Sequence, residues 1–170
     1  MKAAGYTLLF SLMLSCHARA QTQASYAIGD SIPNCTFVYH GLDTVYLADL
    51  RGSLVFVDFW ASWSPTSRKE HVNLQRIFMR YKDKKFRTAR KFHIISVSID
   101  TQHRQWEFAL KRDALSWPFQ VCDFSGWNSP YVNHFRVAYI PANFLLDEKG
   151  TVIGKDLYAE DLEDRLRALY

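Results

Sequence analysis

Leu54-Val55-Phe56-Val57-Asp58-Phe59-Trp60-Ala61-Ser62-Trp63-Ser64-Pro65-Thr66-Ser67-Arg68-Lys69-Glu70 is the stretch on which the fold turns. Leu54, Val55, Phe56, Val57 and Phe59 fill five of its first six positions and predict a strand buried on both faces, as the parallel strands of α/β sheets are. Asp58 breaks the pattern. A carboxyl in such a strand is costly unless it is neutral or paired. Ser64 and Pro65 then supply an N-cap and a first helical residue ahead of an amphipathic run, so the strand leads straight into a helix N-terminus.

This stretch resembles the active-site strand and helix of the thioredoxin superfamily, in particular its exported TlpA/ResA-like branch, whose motif reads F-W-A-x-W-C-x-x-C-R-x-E. Phe59, Trp60, Ala61, Trp63, Arg68 and Glu70 fall on that motif in register. Ser64 and Ser67 stand where the motif has its two cysteines, with Pro65-Thr66 between them. The resemblance implies an α/β thioredoxin-like fold, a central mixed sheet flanked by helices with an added N-terminal β-hairpin. It covers residues 33–170.

The chemistry of that family needs a low-pKa thiolate at a helix N-terminus and a second cysteine to resolve the mixed disulfide. A serine hydroxyl neither forms nor exchanges a disulfide, so dithiol exchange at Ser64 and Ser67 is excluded. A serine nucleophile would need a general base and an orienting group. His71, two turns along the same helix, is read as pointing elsewhere, and Ser64 is expected to act as an N-cap. In the family an acid at the position of Asp58 takes up the proton of the resolving thiol. Two readings of Asp58 stay open here: a relic of that role, or a buried polar group bonded to a hydroxyl such as that of Ser67. Ile140-Pro141 matches the family's cis-proline element, against which extended polypeptide lies by backbone hydrogen bonding. With an exposed Trp63 beside Pro65 and Thr66, it implies a peptide-binding groove. Trp60 is expected in the core.

The 170 residues, 48% of them hydrophobic, suit one globular domain with a sizeable core. Ahead of it, Lys2 and the apolar run Tyr6 to Leu14 have the layout of a secretory signal, too short to span a bilayer. Cleavage after Ala18-Arg19-Ala20 would make residues 1–20 a signal peptide and 21–170 the thioredoxin-like domain. Met13-Leu14-Ser15-Cys16 is an imperfect lipobox that would leave Cys16 acylated. Either way the product is exported to the periplasm or cell envelope, and it meets the membrane only if lipidated at Cys16. Without Lys2 and Arg19 the net charge falls from +4 to +2, which gives nucleic-acid binding little support.

Cysteine and histidine usage bounds the rest. Cys35 and Cys122 remain after cleavage, and a structural disulfide, two free buried thiols and a displaced redox pair are all compatible with them. His40, His71, His93, His103 and His134 have no metal-ligand spacing, so neither metal nor cofactor is expected.

Along the chain, Cys35 to His40 and Thr44 to Leu47 read as a hairpin turning at Gly41-Leu42-Asp43. The helix after Ser64 is expected to reach Tyr81, with Val72, Leu74, Gln75, Ile77, Phe78 and Tyr81 inward. Arg80 to Lys91 carries seven basic residues and one acid, read as a solvated loop or as a docking surface for an acidic partner. Phe92 to Ile99 predicts a second buried strand, then a helix from Gln102 to Arg112 that packs through Trp106, Phe108, Ala109 and Leu110. A strand from Trp117 to Cys122, a short helix ending at Phe135, strands Asn143 to Leu146 and Thr151 to Ile153, and a helix from Tyr158 to Tyr170 complete a β-β-α ending.

Three functions are compatible with this reading. The first is a redox-inactive module that binds a polypeptide or envelope partner through Trp63, Ser64 to Ser67 and Ile140-Pro141. The second is a thiol-disulfide oxidoreductase that acts through Cys35 and Cys122, and the third a structural subunit of an envelope assembly.

Overall fold

The computed structural model describes residues 24–38 and 43–170. The signal-peptide reading of residues 1–20, the Cys16 lipobox, His40 and the Gly41-Leu42 turn lie outside them. At the centre is β3 (Leu54–Trp60), all seven of whose residues are buried. It runs parallel to β4 (Phe92–Ser98), which runs parallel to β5 (Phe119–Cys122). On its other side it pairs antiparallel with β6 (Ala142–Leu146), followed by β7 (Val152–Lys155), giving the order β5-β4-β3-β6-β7. β1 (Thr36–Val38) and β2 (Thr44–Tyr46) form a separate antiparallel pair, the expected N-terminal hairpin.

Side chains alternate across a strand, and β3 divides the core accordingly. Val55, Val57 and Phe59 face a cluster with Phe37, Phe135 and Phe144, covered by the hairpin and by α3 (Pro130–Phe135). Leu54 and Phe56 face the other way, under α1 (Pro65–Tyr81) and α4 (Ala159–Leu169), whose Leu74, Ile77, Phe78, Leu162 and Leu166 close over them. Trp60 meets Trp106 and Ala109 of α2 (His103–Asp113). Asp58 therefore belongs to the side that α1 covers.

Two inward assignments are corrected. The buried residues of α1 are Ser67, His71, Leu74, Ile77, Phe78 and Tyr81, and Val72 is exposed. Steps of four and three residues through Ser67, His71, Leu74, Phe78 and Tyr81 keep one stripe facing the sheet, and Val72 lies a full residue off it. In α2, Trp106 and Ala109 are buried while Phe108 is exposed, because the three-residue step between the first two sets the packed side. The basic stretch after α1 is a loop tied to the body. Phe86 and Ala89 are buried, Phe86 N–H donates to Ala89 O (2.8 Å), and Arg87 N–H donates to Leu169 O (3.0 Å).

The β6–β7 turn shows why its residues are what they are. Asp147 Oδ1 accepts from the N–H groups of Lys149 (2.9 Å) and Thr151 (2.8 Å), and Gly150 sits at φ +81°, where a side chain would be strained.

Because Leu162 is fully buried between α4 and the sheet, Leu162→Ala is expected to cost about 2–5 kcal/mol of stability. Urea denaturation measures it, and a loss within error of zero would mean that α4 is not packed as described.

Candidate functional site

The site is built where β3 ends and α1 begins. Ser64 has extended backbone angles (φ −92°, ψ 105°) and Pro65 follows as first helical residue, as an N-cap requires. Ser64 Oγ accepts from Ser67 N–H at 3.3 Å and from the Ser67 hydroxyl at 2.9 Å. Both serines are buried, whereas Pro65 and Thr66 are exposed and Trp63 is 56% exposed. The helix thus starts with the Ser64 hydroxyl accepting from the Ser67 N–H, and with an indole standing in solvent just before it.

A second carboxylate sets the loop that carries Trp63. Asp100, buried beyond the end of β4, accepts from Ser62 N–H (2.8 Å), Ser62 Oγ–H (2.6 Å) and Ser98 Oγ–H (2.6 Å). These three bonds fix Ser62 against β4 and so fix the direction in which Trp63 leaves the core.

The Ile140-Pro141 peptide is cis. Ala142, the next residue, pairs with Phe59, which places Pro141 beside the last residues of β3. Among the described residues the N–H and C=O of Ile140 bond to no other backbone group. This edge is therefore free to pair with an added extended chain.

Behind the helix start lies the buried acid. Asp58 Oδ2 accepts from His71 Nε2–H at 3.0 Å and, more weakly, from Ser96 Oγ–H at 3.4 Å; Ser96 Oγ in turn accepts from Trp117 Nε1–H at 3.0 Å. This corrects two sequence readings. The hydroxyl near Asp58 belongs to Ser96 rather than Ser67, and His71 points inward to Asp58. The His71 ring is wedged edge-on against Trp60 and Trp117, with centroids at 4.4 and 5.8 Å, and is only 1% exposed. Its Nδ1 meets no hydrogen-bond partner among the described residues, so neither serine has a base in contact. The arrangement can present a surface, but it does not activate a serine.

No disulfide joins Cys35 and Cys122; both are free thiols. Cys35 packs against the cluster under the hairpin and α3, and Cys122 against the α2 cluster on the other face of the sheet. The sheet lies between the two packing sites. Burial raises Cys35 to about 12, partly offset by Arg51, and burial raises Cys122 to about 11.

Three contributors escaped the sequence reading. His71 is four residues after Ser67 on the stripe that faces the sheet, and that spacing would have found it. Asp100 follows closely on a buried strand, as Asp58 interrupts one. Glu70 matched the family motif, but nothing in the sequence indicated that its Oε2 accepts from Ala159 N–H at 3.3 Å, capping α4 from another helix.

The sequence profile of the Redoxin family matches residues 27–169. A thiol-disulfide oxidoreductase ResA of Bacillus cereus is 26% identical over 141 residues, 82% of this chain and 74% of that protein. The solved thiol-disulfide oxidoreductase from Bacteroides fragilis NCTC 9343 superposes with a TM-score of 0.73 at 29% identity, covering 83% of this chain and 100% of that one. The thioredoxin domain of a thiol-disulfide oxidoreductase from Bacteroides vulgatus gives a TM-score of 0.74 at 28% identity, covering 85% and 98%.

Two expectations come from this geometry. His71→Leu strips Asp58 of its nearest partner and is expected to cost about 1–3 kcal/mol in denaturant unfolding, with much of the loss recovered in Asp58→Leu/His71→Leu. The thiols of the folded protein are expected to alkylate far more slowly at pH 8 than those of the unfolded chain. Their rate should still be climbing at pH 10, because thiolate appears only as pH approaches the raised values.

Proposed function

This chain belongs to the redoxin family, on the ResA-like branch of the thioredoxin superfamily, and from that membership we propose that it is a polypeptide-binding module that keeps the family's groove without its redox sulfurs. The observation that carries the reading is the pairing of Ser64 and Ser67, two hydroxyls bonded to each other at 2.9 Å at the helix start that follows an exposed Trp63, with a cis Ile140-Pro141 beside the end of β3. Hydroxyls at that position exchange no disulfide, while the indole and the unpaired Ile140 backbone remain usable. An extended segment would add its backbone to the Ile140 edge and bury side chains on Trp63, Pro65 and Thr66.

The partner is then a polypeptide segment, presented in the periplasm or envelope if the N-terminal pattern acts as a signal. No helix among the described residues is long and apolar enough to cross a membrane.

A competing reading keeps the activity named for the relatives, thiol-disulfide exchange, and places it on Cys35 and Cys122. What favours it is the activity in the relatives' names. Two protonated thiols packed on opposite faces of a sheet weigh against it.

Reduction of a model protein disulfide separates the two. The native domain is expected to be silent and Ser64→Cys/Ser67→Cys to turn over, while Trp63→Ala weakens binding of unfolded envelope polypeptide by about tenfold or more, as loss of an aromatic anchor does. Turnover by the native domain that disappears in Cys35→Ala or Cys122→Ala would reverse the assignment.

A further inference from the structure

The ten residues from Lys82 to Lys91 include six lysines and arginines, and the fold displays them in a particular way. Phe86 and Ala89, the loop's two apolar residues, are buried, with the Phe86 ring against those of Tyr81 (6.3 Å) and Tyr170 (6.4 Å). Everything the loop turns to solvent is therefore polar. Apart from Thr88 and from Asp83, which pairs with Lys82, it is cationic.

Two arginines carry this face onto the neighbouring turns. Arg90 N–H donates to Gly52 O and Gly52 N–H to Glu148 O, both at 2.8 Å, so the loop, the turn before β3 and the β6–β7 turn meet. The Arg90 guanidinium lies over Gly52 and the Arg51 guanidinium over Gly150, each in the space that a side chain on the glycine would need. Among the described residues Arg51, Lys84, Lys85, Arg90 and Lys91 form no ion pair and donate no side-chain hydrogen bond, whereas Arg68, Arg80 and Lys111 each have a carboxylate. Of the acids on the adjoining turn, Asp147 is taken up by its own amides, which leaves Glu148.

We propose that this end of the molecule docks on a membrane surface bearing anionic phosphate headgroups. An acidic protein partner fits less well, because protein interfaces are built on aromatic and aliphatic anchors and are depleted of lysine, and here the anchors point inward. Cations with no partner of their own are what a phosphate layer attracts, provided they come within a Debye length of it. The loop is already tied down by Phe86 N–H to Ala89 O and Arg87 N–H to Leu169 O, so contact costs little ordering. The contact is peripheral and needs no acyl chain on the protein. It also has a direction. β3 starts beside Arg51 and, at about 3.3 Å per residue over its seven residues, ends roughly 20 Å away, ahead of Trp63. A molecule seated on its basic end presents Trp63 and Ile140-Pro141 away from the lipid.

The test is sedimentation of the full chain with vesicles of phosphatidylcholine, and with vesicles in which part of it is replaced by phosphatidylglycerol. Binding is expected to rise with phosphatidylglycerol and to fall with added salt. Lys84→Gln/Lys85→Gln and Arg90→Gln/Lys91→Gln should each weaken it about 25-fold, about fivefold per charge. Lys69→Gln/Arg104→Gln removes two charges from exposed positions in the first turns of α1 and α2, at the other end of the molecule, and should leave binding unchanged. All three variants are expected to melt with the parent, since none of the replaced side chains holds another in place. Equal binding to both kinds of vesicle overturns the proposal and assigns the contact to the apolar N-terminal run. Equal losses in the loop and control variants overturn it in favour of net charge alone. Release from the vesicles by duplex DNA or polyglutamate at a lower charge concentration than that of the lipid overturns it in favour of a polymer partner.

Discussion

A carboxyl on the middle strand of a sheet must have a partner, and the bond from His71 to Asp58 meets that need in a way that fixes much else. With His71 seated over Asp58, the register of α1 on the sheet is set: Leu74 and Phe78 fall over Leu54 and Phe56, and Ser67 and Ser64 fall over the end of β3. A purely apolar interface tolerates sliding, whereas a buried polar pair has one satisfactory alignment. The position of the helix start, and hence of Trp63 and the two hydroxyls, follows from a contact that never reaches the surface.

The shape of the loop and helix start beside the cis proline is likewise held by bonds that involve no sulfur. Asp100 holds Ser62, the sheet holds Ala142 after the cis peptide, and Ser64 caps its own helix. An N-cap serine contributes about 1 kcal/mol. Hydroxyls at these two positions therefore support the local structure on their own account. The geometry of this loop and helix start therefore does not depend on sulfur.

Most of the framework was legible because it is written in short-range pattern. The apolar run of β3, the Ser64-Pro65 start, the Asp147 to Gly150 turn and the leucine spacing of α4 each bring their own physical cause in adjacent residues. Val72 and Phe108 were misread because both are apolar residues next to a buried one, and apolarity alone does not say which side of a helix meets the sheet. The links between distant segments were out of reach for a different reason. His71 with Asp58, Ser96 with Trp117, and Glu70 with Ala159 depend on which strand lies beside which, and Cys35 and Cys122 depend on which face of the sheet each packs against. The surface hollow beside Pro141 is the extreme case, since Asp58, Glu70 and Asp156, which line it, come from three separate stretches of chain.

Glu70 stands between two parts of the molecule. Its Oε2 accepts from the first turn of α4, and the same side chain lines the surface hollow beside Pro141. The C-terminal helix is thus tied to α1 by a carboxylate at its first turn as well as by the leucines beneath it, so the residue that lines the surface beside the proline also helps hold the end of the chain in place.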